Sequence, residues 1–420
     1  MKQSSLLKLS LLALGAPATG LAGGIGLYEI ATPDLGLASA GYAARAQDAS
    51  TVFKNPAGMS LLSGAQVQAG MQLLYGSVEF SPNGSTSARL GSDGGGNAIG
   101  ALPALSAFFV LPLSEKISVG FGTFSNFGLA ENYNDNWVGR YFVQKSTLVG
   151  VSLMPSLSYK VNDWLSLGAG LNAMAGYLNT EVAVNNLDPR IGDGQLKLKD
   201  NTWGFGANVG VLLQPCQSTR IGVTYLSAVK LDFSATPSYS NLGPAMAGLL
   251  ANPRQIDLGM KVPQSVMVSG YHELSAHWAL MADVGWQDWS QFGKVDVSVG
   301  DAGLESTLNS HYQDTWHGAV GAQYRPFDKW QFTAGTAFDS SAVSSADRTV
   351  TVPMGQTWRF GVGAQWQVSQ KVNLGAAYEY MWCGSMSVDQ GQDLSLRGRV
   401  AGAYDDAWFS FATLNLNWKF

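Results

Sequence analysis

From Ala65 to the C-terminus, apolar and polar residues alternate with a period of two, interrupted by short clusters of turn-forming residues. In the last segment Trp408, Ala412, Leu414, Leu416, Trp418 and Phe420 share one face, while Thr413, Asn415, Asn417 and Lys419 share the other. Val372, Leu374, Ala376, Tyr378 and Tyr380 oppose Lys371, Asn373 and Glu379 in the same way. Phe360, Val362, Ala364, Trp366 and Val368 oppose Arg359, Gln365 and Gln367. A period of two puts each set on one side of a sheet. Read through, the pattern predicts fourteen strands: Gly64–Phe80, Ala98–Leu111, Ile117–Phe127, Thr147–Val161, Leu165–Leu178, Trp203–Leu213, Thr219–Phe233, Ser265–Leu274, Trp278–Gln287 with an extension to Val299, a tenth reaching Arg325, Trp330–Phe338, Trp358–Val368, Lys371–Trp382 and Trp408–Phe420.

The connections alternate in kind. Pro112–Lys116, Asn162–Trp164, Gln214–Ser218, Ser275–His277, Pro326–Lys329 and Ser369–Gln370 are tight turns. Long loops are expected at 128–146, 179–200 and 234–263, with a short helix over Leu242–Leu250. Short turns on one rim and long loops on the other are the habit of outer-membrane β-barrels. Trp164, Trp278, Trp330, Trp366 and Trp418 fall beside the short turns, and Tyr378, Tyr380 and Trp382 approach the opposite rim, as the two aromatic girdles of a barrel require. The expected fold is therefore all-β: a fourteen-stranded antiparallel transmembrane β-barrel spanning 64–420, with apolar faces toward lipid and polar faces toward a lumen.

Composition agrees. Charged residues are 13% of the 420, Gly numbers 50 and aromatics reach 11%, while mean hydropathy is +0.04. A helical membrane protein would carry apolar runs of about 18 or more residues, and none is present. A large exported β-sandwich is the soluble alternative, but its strands are usually shorter. Residues 1–22 combine Lys2 and Lys8 with an apolar stretch and the small-x-small site Gly20-Leu21-Ala22, which reads as a secretory signal peptide. Its removal moves the formal charge from −5 to −7, two lysines being lost, which gives no support to nucleic-acid binding. The placement of Cys216 at a turn and Cys383 far up another strand predicts two free thiols. His272, His277, His311 and His317 lack metal-ligand spacing, and Gly94–Gly96 lacks the strand–loop–helix context of a phosphate loop. No enzyme, metal or cofactor is expected.

Residues 23–63 have neither period, yet they hold Ile25, Leu27, Ile30, Leu35, Leu37, Val52 and Phe53. Disordered tails are poor in such residues, so this segment is expected to pack inside the barrel as a plug. Its few charges, Glu29, Asp34, Arg45, Asp48 and Lys54, point to a modestly held one. Pro56 lacks an N–H and Asn55 can form an Asx-type turn, so Asn55-Pro56-Ala57 marks a corner rather than a ladder.

The stretches Gly26–Gly41 and Ala46–Gly58, with Asn55-Pro56-Ala57 just before the first strand, resemble the start of the mature outer-membrane long-chain fatty acid and hydrocarbon transporters (the FadL/TodX, OmpP1-like family). Gly128–Phe142 is similar to that family's loop after the third strand, and the amphipathic C-terminal strand ending in Phe420 looks like the signal read by outer-membrane assembly machinery. The resemblance implies a multi-pass barrel in the outer membrane of a Gram-negative bacterium, among its lipids and lipopolysaccharide, working as a monomer with no cofactor. It implies uptake of hydrophobic small molecules, first of all long-chain fatty acids, with alkanes or monoaromatics as the alternative and a general diffusion porin as the lesser one. It assigns the hatch or gate, lining an inner pocket that receives cargo from the outer groove, to Gly23, Gly24, Ile25, Leu27, Tyr28 and Ile30, with Asn55, Pro56 and Ala57 at its corner. An outer apolar groove is expected from Phe124, Phe127, Leu129, Tyr133, Trp137, Tyr141 and Phe142 on one loop, and from Leu242, Met246, Leu249 and Leu250 on another. Arg140, Lys145, Arg220 and Arg254 are the candidate partners of a carboxylate. A hatch rearrangement and a gap in the barrel wall would then release cargo sideways into the membrane.

Overall fold

A computed structural model describes residues 26–188, 190–299, 305–351 and 353–420. The expected signal peptide, the gate residues Gly23, Gly24 and Ile25, and the loop tip Asp301–Gly303 lie outside them. Fourteen long strands close into one antiparallel barrel, with Phe80–Pro82 and Ser238–Ser240 added at the rim of the same sixteen-stranded sheet. We number the barrel strands β1 (Gln66–Ser77), β2 (Gly100–Pro112), β3 (Ile117–Asn132), β4 (Lys145–Lys160), β5 (Leu165–Val184), β6 (Gly194–Cys216) and β7 (Thr219–Leu226). The second half comprises β8 (Ser265–Glu273), β9 (Trp278–Gln287), β10 (Thr315–Phe327), β11 (Trp330–Asp339), β12 (Thr357–Gln367), β13 (Val372–Gly391) and β14 (Arg399–Lys419). Closure is made by β14 on β1, in register from Gln66 opposite Lys419 to Ser77 opposite Trp408.

The alternation has the expected sense. Leu414, Leu416 and Trp418 are exposed on the outside of β14, and Thr413, Asn415 and Asn417 are buried toward the lumen. Exposed Trp278, Trp330, Trp366 and Trp418 ring the short-turn rim, and Trp358, Trp382 and Trp408 sit side by side on β12, β13 and β14 toward the other. Among the described residues no helix is long and apolar enough to cross a membrane. Both cysteines are free, Cys216 exposed and Cys383 buried.

The long-loop side departs from expectation. At 20, 23, 20 and 21 residues, β5, β6, β13 and β14 far exceed the roughly ten needed to cross a bilayer. Beyond the bilayer a strand's outer face meets water, so the lipid-facing apolar set is lost and the segment reads as loop. That is why β3 continues through Leu129 to Asn132, and why the loop expected over 179–200 shrinks to 185–193, with Leu178 opposite Asp200 and Val184 opposite Gly194. The seventh strand stops at Leu226 instead of reaching Phe233, because Ser227 exchanges hydrogen bonds with Ala207, its Oγ accepting from the Ala207 amide at 2.8 Å. The ninth does not run on to Val299: Asp288 accepts from Ser290 Oγ at 2.9 Å and starts the helical turn Trp289–Phe292, a local bond that competes with the ladder.

The freed segments Val229–Ala235, Ile256–Val262, Lys294–Val299 and Glu305–Asn309 form a separate four-stranded sheet that the sequence reading did not anticipate. Leu231, Phe233, Leu258, Met260 and Val297 are buried in the same apolar cluster as the loop aromatics. A short helix at Pro244–Leu249 stands where one was expected.

Candidate functional site

Residues 33–62, the body of the N-terminal segment, are wound into the short helical turns Pro33–Leu37, Thr51–Lys54 and Pro56–Leu61 and almost wholly buried in the lumen. The charges expected to hold it modestly hold it firmly. Asp34 pairs with both Arg45 and Lys54, and Arg45 Nη2 lies 2.7 Å from Asp48 Oδ2, all four buried. Two acids and two bases buried together are each costly to unpair. Asn55 forms its Asx turn, accepting from the Ala57 amide at 3.1 Å, and its Nδ2 donates to Ala43 O at 2.7 Å and to Val211 O of β6 at 3.0 Å. Asp283 of β9 accepts from the Gly41 and Tyr42 amides at 3.0 and 3.1 Å. Where body and wall touch, the wall is glycine: a Cβ at Gly168 would strike Pro56–Ala57, and one at Gly361 would strike Leu35 and Ala38. Part of the high glycine content is thus the fit of a plug.

Residues 26–32, the lead, run from this body to β3. A bulge interrupts the β3–β4 register between Phe124 and Phe127, and there the Leu27 amide donates to Asn126 O at 2.9 Å and Gly26 bridges Phe127. Side chains fix the rest. Gln287 Nε2 donates to the Tyr28 hydroxyl at 2.8 Å, and the Tyr28 ring lies 4.5 Å from that of His317. Glu29 pairs with Arg359, which also reaches Asp339 at 2.9 Å and Glu379 at 3.8 Å. Gln72 brackets the lead, accepting from Ala31 N and donating to Glu29 O, both at 3.1 Å. Ile30 is buried against the body residues Val52 and Phe53.

Beside this bulge the pairing of β3 with β2 is interrupted. The β2–β3 ladder runs only from Pro112 opposite Ser118 to Ala107 opposite Thr123. Above it both strands continue unpaired with each other until Asn132 N donates to Ala98 O at 2.8 Å. The interval, between Gly100–Ser106 and Phe124–Glu131, is a break in the hydrogen-bond ladder of the wall, hereafter the window. The lead crosses its inner side, since Gly26 meets Phe127 and Ser106 Oγ donates to Ala31 O at 3.4 Å.

The groove residues expected on the first loop separate into three places. Phe124 and Phe127 lie in the lumen, Phe124 against Phe53 of the body at 4.2 Å and Phe127 against Phe292 at 5.9 Å. Leu129, Tyr133 and Trp137 pack the loop interior, with Tyr133 stacked on Trp137 at 3.8 Å and its hydroxyl 2.7 Å from that of Tyr404. Tyr141 and Phe142, together with Met246, line a mostly apolar outer cavity of about 600 Å³ that is completed by Val182, Val184, Leu196 and the 391–397 loop. Leu242 and Leu250 pack at the edge of the core and Leu249 is exposed.

The four candidate carboxylate partners lie elsewhere. Arg140 is engaged by Asp193 at 2.7 Å. Arg220 donates to Arg45 O at 2.6 Å and stacks on Tyr271 at 4.1 Å, supporting the body. Lys145 and Arg254 are exposed. The cation that does line the cavity is Arg397, 5.4 Å from the centre of the Phe142 ring. Burial pulls its guanidinium down to about 10, with no carboxylate opposing that shift. Burial against Asp193 pushes the neighbouring Tyr141 hydroxyl up to about 12. Arg397 escaped sequence reading because Arg397-Gly-Arg399 sits in a polar stretch with no pattern to single out one arginine.

A closed barrel with an apolar exterior and a filled lumen is the architecture of an outer-membrane channel. The comparisons agree. Over 94% of each chain, the sequence is 28% identical to outer membrane protein P1 of Haemophilus influenzae. Over 88% of this chain and 90% of the other, it is 26% identical to the long-chain fatty acid transport protein of Escherichia coli K12. The fold matches a Pseudomonas aeruginosa FadL homologue with a TM-score of 0.84 at 20% identity, covering 94% of this chain and all of that one. It matches the Pseudomonas putida toluene transporter TodX with a TM-score of 0.65 at 16% identity, covering 89% and 94%. The model of the outer membrane protein transport family (OMPP1/FadL/TodX) matches residues 13–420, so the chain belongs to that family: a multi-pass barrel of the Gram-negative outer membrane that transports hydrophobic molecules and is not an enzyme.

Proposed function

We propose that the cargo is recognised by its hydrocarbon part in the outer cavity, passes beside the lead and leaves through the window between β2 and β3 into the membrane. One observation carries the reading: the ladder of the wall breaks where the lead docks, at the bulge of β3. An apolar molecule gains from the outer cavity and gains again from lipid, whereas a polar one gains from neither. Hydrocarbon channels among the matched folds, TodX among them, support the hydrocarbon alternative more than the fatty-acid reading placed first on sequence grounds. The names of several sequence relatives support fatty acids.

The test is uptake of radiolabelled toluene and oleate by cells that lack their own transporter and express this chain. Entry of either above the empty-vector rate is expected. Equal rates for both, together with free passage of small sugars in liposome swelling, would instead mark a general diffusion porin.

A further inference from the structure

The outer cavity is apolar except at one point. Phe142, Val182, Val184 and Met246 offer hydrocarbon, and Arg397 faces them half-buried. The other arginines of this rim are occupied. Arg140 is held by Asp193 at 2.7 Å, and Arg399 is clamped by both oxygens of Asp389 at 2.8 and 2.7 Å. Arg89 donates to the carbonyls of Asp393 and Ser395. Arg397 differs: among the described residues it makes no ion pair and donates no hydrogen bond, and its neighbour is the face of Phe142.

A guanidinium set in an apolar cavity without a counter-ion is incomplete. It carries up to five donors in a fork that fits a carboxylate bidentately, and leaving such a group partly desolvated and unpaired is unfavourable. Its position is also well braced. The Leu396 carbonyl just before it accepts from Asn185 Nδ2 at 3.1 Å, which ties the 391–397 loop to the top of β5. A molecule with one negative head and a hydrocarbon tail would satisfy both parts of the cavity at once.

We infer that Arg397 is the head-group receptor of the outer cavity and gives this channel a preference for monocarboxylate amphiphiles over uncharged hydrocarbons of the same size. The inference rests on the transport reading above and adds the class of cargo that the mouth selects. The tail lies along Phe142, Val182, Val184 and Met246, and the carboxylate takes the free guanidinium edge. Arg397 therefore acts at capture, on specificity, while the lead and the window handle release of any apolar cargo.

Cells expressing the full chain, its Arg397→Gln variant or its Arg397→Lys variant would be given oleate and, separately, oleyl alcohol at concentrations below saturation. A charged hydrogen bond of ordinary strength corresponds to about tenfold in affinity. Arg397→Gln is expected to slow oleate uptake by about tenfold and leave oleyl alcohol within about twofold, and Arg397→Lys to retain most of the oleate rate. Equal slowing of both molecules, or no slowing of oleate, would overturn the inference. If neither molecule entered above the vector control with the unaltered chain, the transport reading itself would fail. Heat-modifiable migration on electrophoresis reports that each variant is a folded barrel.

Discussion

The body and the lead of the N-terminal segment occupy the same lumen but are held by different means. The body is fastened to itself by the Asp34–Arg45–Lys54 cluster and to the wall by Asn55, Asp283 and close glycine contacts. The lead owns no such cluster. It depends on partners contributed by the wall: Arg359 for Glu29, Gln287 for Tyr28 and the exposed backbone of the β3 bulge for Leu27. The body carries its own ion pairs, whereas the lead, apart from Ile30 against Val52 and Phe53 and Thr32 accepting from Lys54 Nζ at 3.0 Å, takes its polar partners from the wall. The segment thus divides into a self-braced body and a lead braced mainly by the wall, and the lead is the part lying across the window.

Breaking the body should produce the largest effect. Asp34→Ala leaves Lys54 buried without a counter-ion and Arg45 with Asp48 alone, at a cost of about 3–5 kcal/mol. The barrel is expected to remain folded while trypsin gains access to Arg45 and Lys54, which are buried in the unaltered protein. Continued resistance at both sites would show that the body is held by the wall alone.

Loosening only the lead is a smaller change. Glu29→Gln removes one charged partner of Arg359, worth about 1.5–3 kcal/mol, and leaves Asp339 in place. Amide hydrogen exchange over 26–32 should speed up by about tenfold or more, with 33–62 unaffected. Equal acceleration of both would erase the distinction between them. Gly361→Val presses on Leu35 and Ala38 and is expected to destabilise the body by about 1–3 kcal/mol through overpacking, again read by proteolysis, with the lead's exchange unchanged.

The smallest effect concerns backbone strain. Ala31, Ala38, Ser39 and Ala46 all hold positive φ, with Ala38 at 47°, a region that side chains disfavour. Ala38→Gly should relieve it and stabilise the body by up to about 1 kcal/mol, seen as slower tryptic cleavage in an Asp34→Ala background.

Much of this architecture could be read from the chain. The alternation in Trp408–Phe420 or Thr357–Val368 is strict because lipid outside and water or plug inside demand opposite side chains at successive positions. The strand extensions 179–184 and 194–200 were hidden because their outer faces, with Glu181, Lys197 and Lys199, lack the lipid-facing apolar set, although Val182, Val184, Leu196 and Leu198 stay apolar on the buried face. The four-stranded outer sheet was hidden for another reason: Val229–Ala235 and Lys294–Val299 alternate as barrel strands do, and only the small breaks at Ser227 and Asp288 redirect them. The window was equally invisible, since it lies beside a one-residue bulge at Ser125-Asn126 that leaves the composition of β3 unchanged. Asn55-Pro56-Ala57 announced the corner of the body because an Asx turn is local. The holdfasts of the lead join residues such as Glu29 and Arg359 that are distant in sequence, and no local pattern pairs them.

Locking the lead on β3 tests the central claim most directly. Gly26 and Phe127 face each other across an antiparallel bridge, a spacing suited to a disulfide. Gly26→Cys with Phe127→Cys would be made in a chain whose Cys216 and Cys383 are replaced by Ser and Ala. Uptake of oleate or toluene should stop when the bond is formed and return on reduction with dithiothreitol. Full uptake through the quantitatively cross-linked protein would contradict the account, because the lead could then never leave the window it crosses.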